Sequence, residues 1–123
     1  MHRFSPLSFI FVFIFLVGCN KPLPTLDQVD LNAWKEDKNG CLNKRSSMGE
    51  LILKQKEVLL ALNEKQIVDI LGKPDQNELY KRNQKFYSYF ISPAPTCNEG
   101  VTSSKILVIR FNAMGLAKEV NLE

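Results

Sequence analysis

Histidine is almost missing from this sequence: the single one is His2. Beyond that position no imidazole is present to act as a general base near neutral pH, to activate a serine or cysteine, or to complete a histidine zinc site. Ser-His-Asp, Cys-His and histidine-based zinc chemistry are therefore excluded from the rest of the chain. Cysteine is scarce too, with three residues and no Cys-x-x-Cys spacing, which removes the common dithiol redox motif. No block of like charge stands out in a chain of formal net charge +3, and this argues against a nucleic-acid surface. There is no internal repeat, no low-complexity tract, and no apolar stretch of the roughly 20 residues that a membrane-crossing helix needs.

What is present begins at the N-terminus. Met1-His2-Arg3 gives a short basic start, and Phe9 to Val17 is an uninterrupted apolar run without charge. That run is too short to span a bilayer and has the length of the apolar core of a secretory signal. It ends in Leu16-Val17-Gly18-Cys19, which resembles the lipobox of bacterial lipoproteins. The resemblance implies a signal peptide over residues 1–18, a diacylglyceryl thioether on Cys19, cleavage before that residue and acylation of the new amino group. Several acyl chains on one residue hold a protein stably at a bilayer, where a single chain is marginal. Asn20 stands where Asp favours inner-membrane retention, so the expected place is the cell envelope, at the outer membrane facing the periplasm. Residues 19–25, with Lys21-Pro22-Leu23-Pro24, read as a short stiff tether, and residues 26–123 as one small domain. No cofactor is expected apart from the covalent lipid on Cys19; the membrane itself is the first expected partner.

In an exported chain the remaining even pair, Cys41 and Cys97, reads as a disulfide. Closing so long a loop is worth roughly 4 kcal/mol in the chain-entropy model. The alternative is two free thiols, which here would lack a histidine to activate them.

Hydrophobic periodicity divides the domain into a helical half and a strand half. Leu26 to Lys38 reads as a short helix stopped by the Asn39-Gly40 turn. Asp37 to Gly40 has the look of the start of a calcium loop but lacks its later ligands, so no metal site is expected. Ser47 to Leu62 carries Leu51, Ile52, Val58, Leu59 and Leu62 at helical spacings. Asn63 followed by Gln66 forms a capping-box pattern for a second helix, with Leu62 and Ile67 in the staple positions. That helix places Ile67, Val68, Ile70 and Leu71 inward and ends at Gly72, before Pro74. Lys85 to Ile91 is aromatic and β-prone, Lys105 to Phe111 is a strong strand, and Asn112 to Gly115 turns the chain into a return strand over Leu116 to Leu122. Glu78 to Lys81 is a candidate short edge strand. The expected fold class is α+β, a two-helix layer packed on a three-stranded antiparallel sheet.

The order of these elements resembles the SmpA/OmlA (BamE-like) outer-membrane lipoproteins. The resemblance rests on Ile67-Val68-Asp69-Ile70-Leu71-Gly72-Lys73-Pro74-Asp75 at a helix end, Tyr87-Ser88-Tyr89 in an aromatic strand, and Gly100-Val101-Thr102 followed by Leu107 to Asn112 with Gly115 in the turn. It covers about Leu51 to Leu122. It implies two helices on three antiparallel strands and a non-enzymatic accessory role in assembling β-barrel proteins. The chain departs from that pattern at Leu62-Asn63, at Ser92 where an Arg is frequent, and in having Trp34 and Asp37 to Cys41 in place of a Gln-Gly-Asn-rich segment.

Three functional classes follow. The first is a membrane-anchored interaction or scaffold protein with an envelope protein partner. Its candidate surface is Tyr80, Tyr87 and Tyr89, because tyrosine is favoured at interfaces; Phe86 and Phe90 lie nearby. The second is a periplasmic inhibitor or immunity-type protein that blocks an enzyme with the loop Pro93 to Gly100, pinned by Cys97. The third is an enzyme using carboxylates such as Asp69, Asp75 and Glu78. The chemistry missing from the chain puts the first ahead, with no catalytic residue assigned.

Overall fold

The computed structural model describes residues 22–123. The expected signal peptide, Cys19 and the start of the tether lie outside the described residues. Pro22 to Leu26 is without regular structure, and Leu26 already lies in the core.

Local chemistry sets the start of the first helix and both ends of the third, while the second is stopped by a longer-range contact. Asp30 caps α1 (Leu31–Glu36) by accepting from the Ala33 N–H at 3.1 Å, and the helix buries Trp34 completely. The second helix is much shorter than its sequence pattern. α2 covers Gly49–Lys54, after which Gln55 leaves helical geometry and a 3-10 turn follows at Lys56–Val58. The Gln55 side chain is engaged elsewhere, accepting from the Asp27 N–H at 2.7 Å and donating to the Asp27 carbonyl at 2.9 Å. The break still sends Leu59 into the core with Ile52, so apolar spacing alone did not reveal it. α3 (Glu64–Leu71) has the full capping box: Asn63 Oδ1 accepts from the Gln66 N–H at 2.8 Å and Gln66 Oε1 from the Asn63 N–H at 2.9 Å. Its end at Gly72 uses a positive φ of 79°, a conformation suited to glycine. The described residues thus hold three short α-helices, α1 inside the expected Leu26 to Lys38 segment and the other two where the helix pair was expected.

The sheet has one strand more than the three expected, at the place of the candidate edge strand Glu78 to Lys81. β1 (Gln76–Tyr80), β2 (Gln84–Phe90), β3 (Ile106–Phe111) and β4 (Ala117–Leu122) form an antiparallel meander in that order. β1 pairs with β2 from Gln76↔Ser88 to Tyr80↔Gln84. All five of its residues are exposed, so it has no buried face to announce it and is held through its backbone. The α+β class stands; the three-stranded count is corrected to four.

Side-chain alternation assigns the two faces of the sheet. Tyr87, Tyr89, Leu107, Ile109, Phe111 and Val120 point to the helices and form one cluster with Trp34, Ile52, Leu59, Ile67 and Leu71. The N-terminal layer is fastened to this core by a buried polar knot. Asp37 accepts from the backbone N–H groups of Leu42, Lys44 and Arg45 at 2.6, 2.7 and 3.0 Å. Arg45, also fully buried, donates to Asp75 at 2.6 Å and to the Trp34 carbonyl at 2.8 Å. Its guanidinium carbon lies 4.8 Å from the Trp34 ring centre. Gly40 completes the seam: a Cβ there would come within 2.7 Å of the Ser92 carbonyl oxygen, and its φ is 65°.

Candidate functional site

The three tyrosines expected on one partner surface fall on different sides of the sheet. Tyr87 and Tyr89 are buried, 6% and 0% exposed, and cannot meet a partner. Sequence parity explains the correction, since both share the inward phase of β2. Their hydroxyls secure α3 at its two ends. Tyr87 donates to Glu64 Oε1 at 2.7 Å in the first turn, and Tyr89 donates to the Gly72 carbonyl at 2.8 Å just past the last. Trp34 adds a third tie, its indole N–H donating to the Leu71 carbonyl at 3.1 Å. Burial, then the Glu64 carboxylate, pushes the Tyr87 phenol up to about 12. Burial also raises Tyr89. For Glu64, burial pulls the carboxyl upward, but the Tyr87 hydroxyl and the Lys85 ammonium together hold it below its ordinary value.

Tyr80, 57% exposed, belongs to the opposite face, which no helix among the described residues covers. The registers place Glu78 and Tyr80 of β1, Phe86 and Ser88 of β2, Val108 and Arg110 of β3, and Glu119 and Asn121 of β4 together on it. Tyr80 packs edge-on against Phe86, ring centres 4.9 Å apart. A notch of about 260 Å³ opens there, lined by Glu78, Tyr80, Phe86, Ser88, Val108 and Glu123. Arg110 is engaged by Glu119 at 3.0 Å. Among the described residues, neither Glu78 nor Glu123 has a cation within salt-bridge distance. The nearby carboxylates, Glu78 before Glu123, hold the Tyr80 phenol above its ordinary value.

The two edges of the sheet differ as well. At the start of β4, the Ala61 N–H donates to the Ala117 carbonyl and the Ala117 N–H to the Leu62 carbonyl, both at 2.8 Å, so the joint between α2 and α3 covers the first residue of that edge. The far side of β1 pairs with no strand among the described residues, and Leu79 and Tyr80 stand exposed on it. Sequence reasoning found Tyr80 by residue type and Glu78, two residues before it, as a carboxylate on a candidate edge strand; Glu123 carried no linear signal, because only the folding of the sheet brings it to them.

Cys41 and Cys97 lie at disulfide distance, Cα atoms 5.4 Å apart, and join the turn after α1 to the loop after β2. Beside them runs a groove of about 490 Å³ lined by Asn39, Asp75, Gln76, Phe90, Ala94, Pro95 and Thr96. Its one carboxylate is fully engaged. Asp75 accepts from the Asn39 N–H through Oδ1, and from Arg45 and the Phe90 N–H through Oδ2. Of the other carboxylates considered for catalysis, Asp69 lies on α3 3.4 Å from Lys65, and Glu78 lines the notch. Among the described residues there is no cluster of three His, Cys, Asp or Glu arranged to hold a metal ion, and no helix is long and apolar enough to cross a membrane. Against known protein families, curated proteins and solved structures, the chain gives no match.

Proposed function

We propose that the chain is a lipoprotein of the cell envelope, anchored through acyl groups on Cys19 at the outer membrane and facing the periplasm. There it acts as a non-enzymatic protein-interaction module. Accessory service to outer-membrane protein assembly, in the manner of the SmpA/OmlA (BamE-like) lipoproteins, is the role its sequence motifs suggest. The observation that carries the interaction reading is the sheet face that, among the described residues, no helix covers, ending in the unpaired β1 edge where Tyr80 is exposed. An unpaired edge is a ready template for another strand, and natural sheets usually blunt or cover it. The anchor reading draws on Leu16 to Cys19, and export agrees with two cysteines at disulfide distance.

Two measurements test this. Mass spectrometry of the cellular product is expected to find an acylated Cys19 at its N-terminus; an unmodified Met1 terminus would remove the anchor and the compartment together. A photoreactive side chain in place of Tyr80, in intact cells, is expected to crosslink to an envelope protein. A chain that remains uncrosslinked from that position, at normal abundance, argues against the module. A second reading, an enzyme inhibitor, draws on the loop held by Cys97, where Pro95, Thr96 and Asn98 to Gly100 are exposed. It predicts that a purified periplasmic hydrolase loses activity on adding the protein, and regains it when that loop is replaced.

A further inference from the structure

Resting on the interaction reading, we propose that the open sheet face receives a basic, extended segment of a protein partner. The segment adds as a strand to the β1 edge and lays a lysine or arginine across Tyr80 and Phe86, between Glu78 and Glu123.

Three features of the surface select this occupant. The first is the edge itself. Gln76–Tyr80 is paired on one side only among the described residues, and its five residues are exposed. What complements unpaired strand backbone is another extended backbone, with side chains of alternate residues reading the face beside it. The second is charge. The notch holds two carboxylates, and the described residues place no cation within salt-bridge distance of either. The guanidinium on the same face, Arg110, is already paired with Glu119. This patch is acidic on a chain whose net charge is +3, so it is not a sample of the average surface. The third is shape. Tyr80 and Phe86 meet edge-on at 4.9 Å beside Val108 and Ser88. An aromatic floor with a carboxylate rim suits a side chain with an apolar stem and a cationic head.

A second copy of this chain fits less well. Two β1 strands paired antiparallel about their midpoint would set Glu78 against Glu78, and like charges directly opposite destabilise a strand pair. An acidic peptide would add charge to a face that already carries uncompensated carboxylates.

The test uses the full chain in its own cells, with a photoreactive phenylalanine analogue at Leu79, which is 67% exposed and does not line the notch. The expected adduct is to a protein segment in which a lysine or arginine lies within about two residues of the crosslink, as strand alternation requires. The Glu78→Gln, Glu123→Gln pair is expected to lower the yield about tenfold at unchanged abundance of the chain, the order expected for losing two exposed charge contacts. An unchanged yield in that variant, an adduct in an acidic segment, an adduct to a second copy or an adduct to lipid alone would each overturn the proposal. A parallel probe at Leu42, 59% exposed, separates the two ideas. Protein adducts from Leu42 with none from Leu79, or charge-insensitive ones from Leu79, leave the module standing and remove the basic partner. Silence from both positions removes both.

Discussion

The two faces of one sheet are made from similar amino acids and do opposite things. On the inner face Tyr89, Leu107, Ile109 and Phe111 have no exposed surface, and every phenolic hydroxyl there has a partner on α3 or just beyond it. On the outer face Phe86 is half-buried, Tyr80 is largely in solvent, and the charges of Glu78 and Glu123 sit among them. Tyr87 and Phe86 are neighbours in sequence, yet parity sends one to bond with Glu64 and the other to floor a notch. Residue type names the candidates for binding; position in the pleat decides which are free to bind.

The greatest damage to this asymmetry is expected from a residue on neither face. Arg45→Ala leaves Asp75 buried, 4% exposed in its side chain, without its guanidinium partner. Breaking such a pair from one side costs about 3–5 kcal/mol, and the helical layer that makes the inner face an inside is fastened through it. Urea unfolding is expected to show that loss. Adding Asp75→Asn should recover part of it, because the amide carries no uncompensated charge; equal midpoints for wild type and Arg45→Ala would show that the knot does not hold the layers together. Replacing Cys41 and Cys97 by serine comes next. The cysteines are 56 residues apart, and releasing a loop of that size costs about 4 kcal/mol. The expected result is a lower unfolding midpoint, with backbone exchange rising in residues 92–104 before it rises in β3.

The knot also shows where the sequence was silent. The cap at Asn63, the stop at Gly72 and the strands after residue 84 all obey local rules, so periodicity and turn chemistry sufficed to place them. Neither Asp37 nor Arg45 shows its burial in the linear sequence. Asp37 is held by backbone N–H groups of the turn that follows it, and Arg45 is interior because Asp75 returns to it from 30 residues beyond. β1 was faint for a related reason: an edge strand with both sides in solvent needs no hydrophobic alternation. Of the proposed binding surface, Tyr80 was legible by type. Tyr87 and Tyr89 were placed there wrongly because an aromatic run gives no parity until it is known which side the helices cover. The broken helix after Lys54 belongs with these, since Leu59 keeps its helical phase across the break.

A smaller effect sharpens the inner side of the comparison. Tyr87→Phe removes one hydrogen bond to a carboxylate that still has Lys85 at 3.0 Å, so a loss of about 1–2 kcal/mol is expected. The pH profile makes it specific. The Tyr87 phenol is raised from 10 to about 12 in the folded state; its contribution is therefore complete below pH 10 and is lost as pH rises from 10 through about 12. Glu64 is shifted the other way, so its contribution is present above its ordinary value of 4.5 and fades as pH falls through the lowered one. In Tyr87→Phe both the alkaline and the acid slopes of the unfolding midpoint should flatten. A variant with the wild-type profile at both ends would mean that this hydroxyl does not couple α3 to the sheet.

The least effect on stability is expected at Tyr80, the tyrosine of the proposed partner surface. Tyr80→Ser removes an edge-on contact with Phe86 from a side chain that is 57% exposed, and substitutions at such positions usually fall within about 0.5 kcal/mol. Calorimetry should therefore place its melting temperature close to wild type. Crosslinking from Leu79 should nevertheless fall, because the aromatic floor for the partner's side chain is gone. The contrast with Tyr87→Phe is the point: one atom removed from the covered face is felt by the fold, and a whole ring removed from the open face is felt by the partner. If Tyr80→Ser instead cost more than about 1.5 kcal/mol, the range of a buried aromatic pair, Tyr80 would be part of what holds β1 to β2, and the outer face would be built for folding rather than left for another protein.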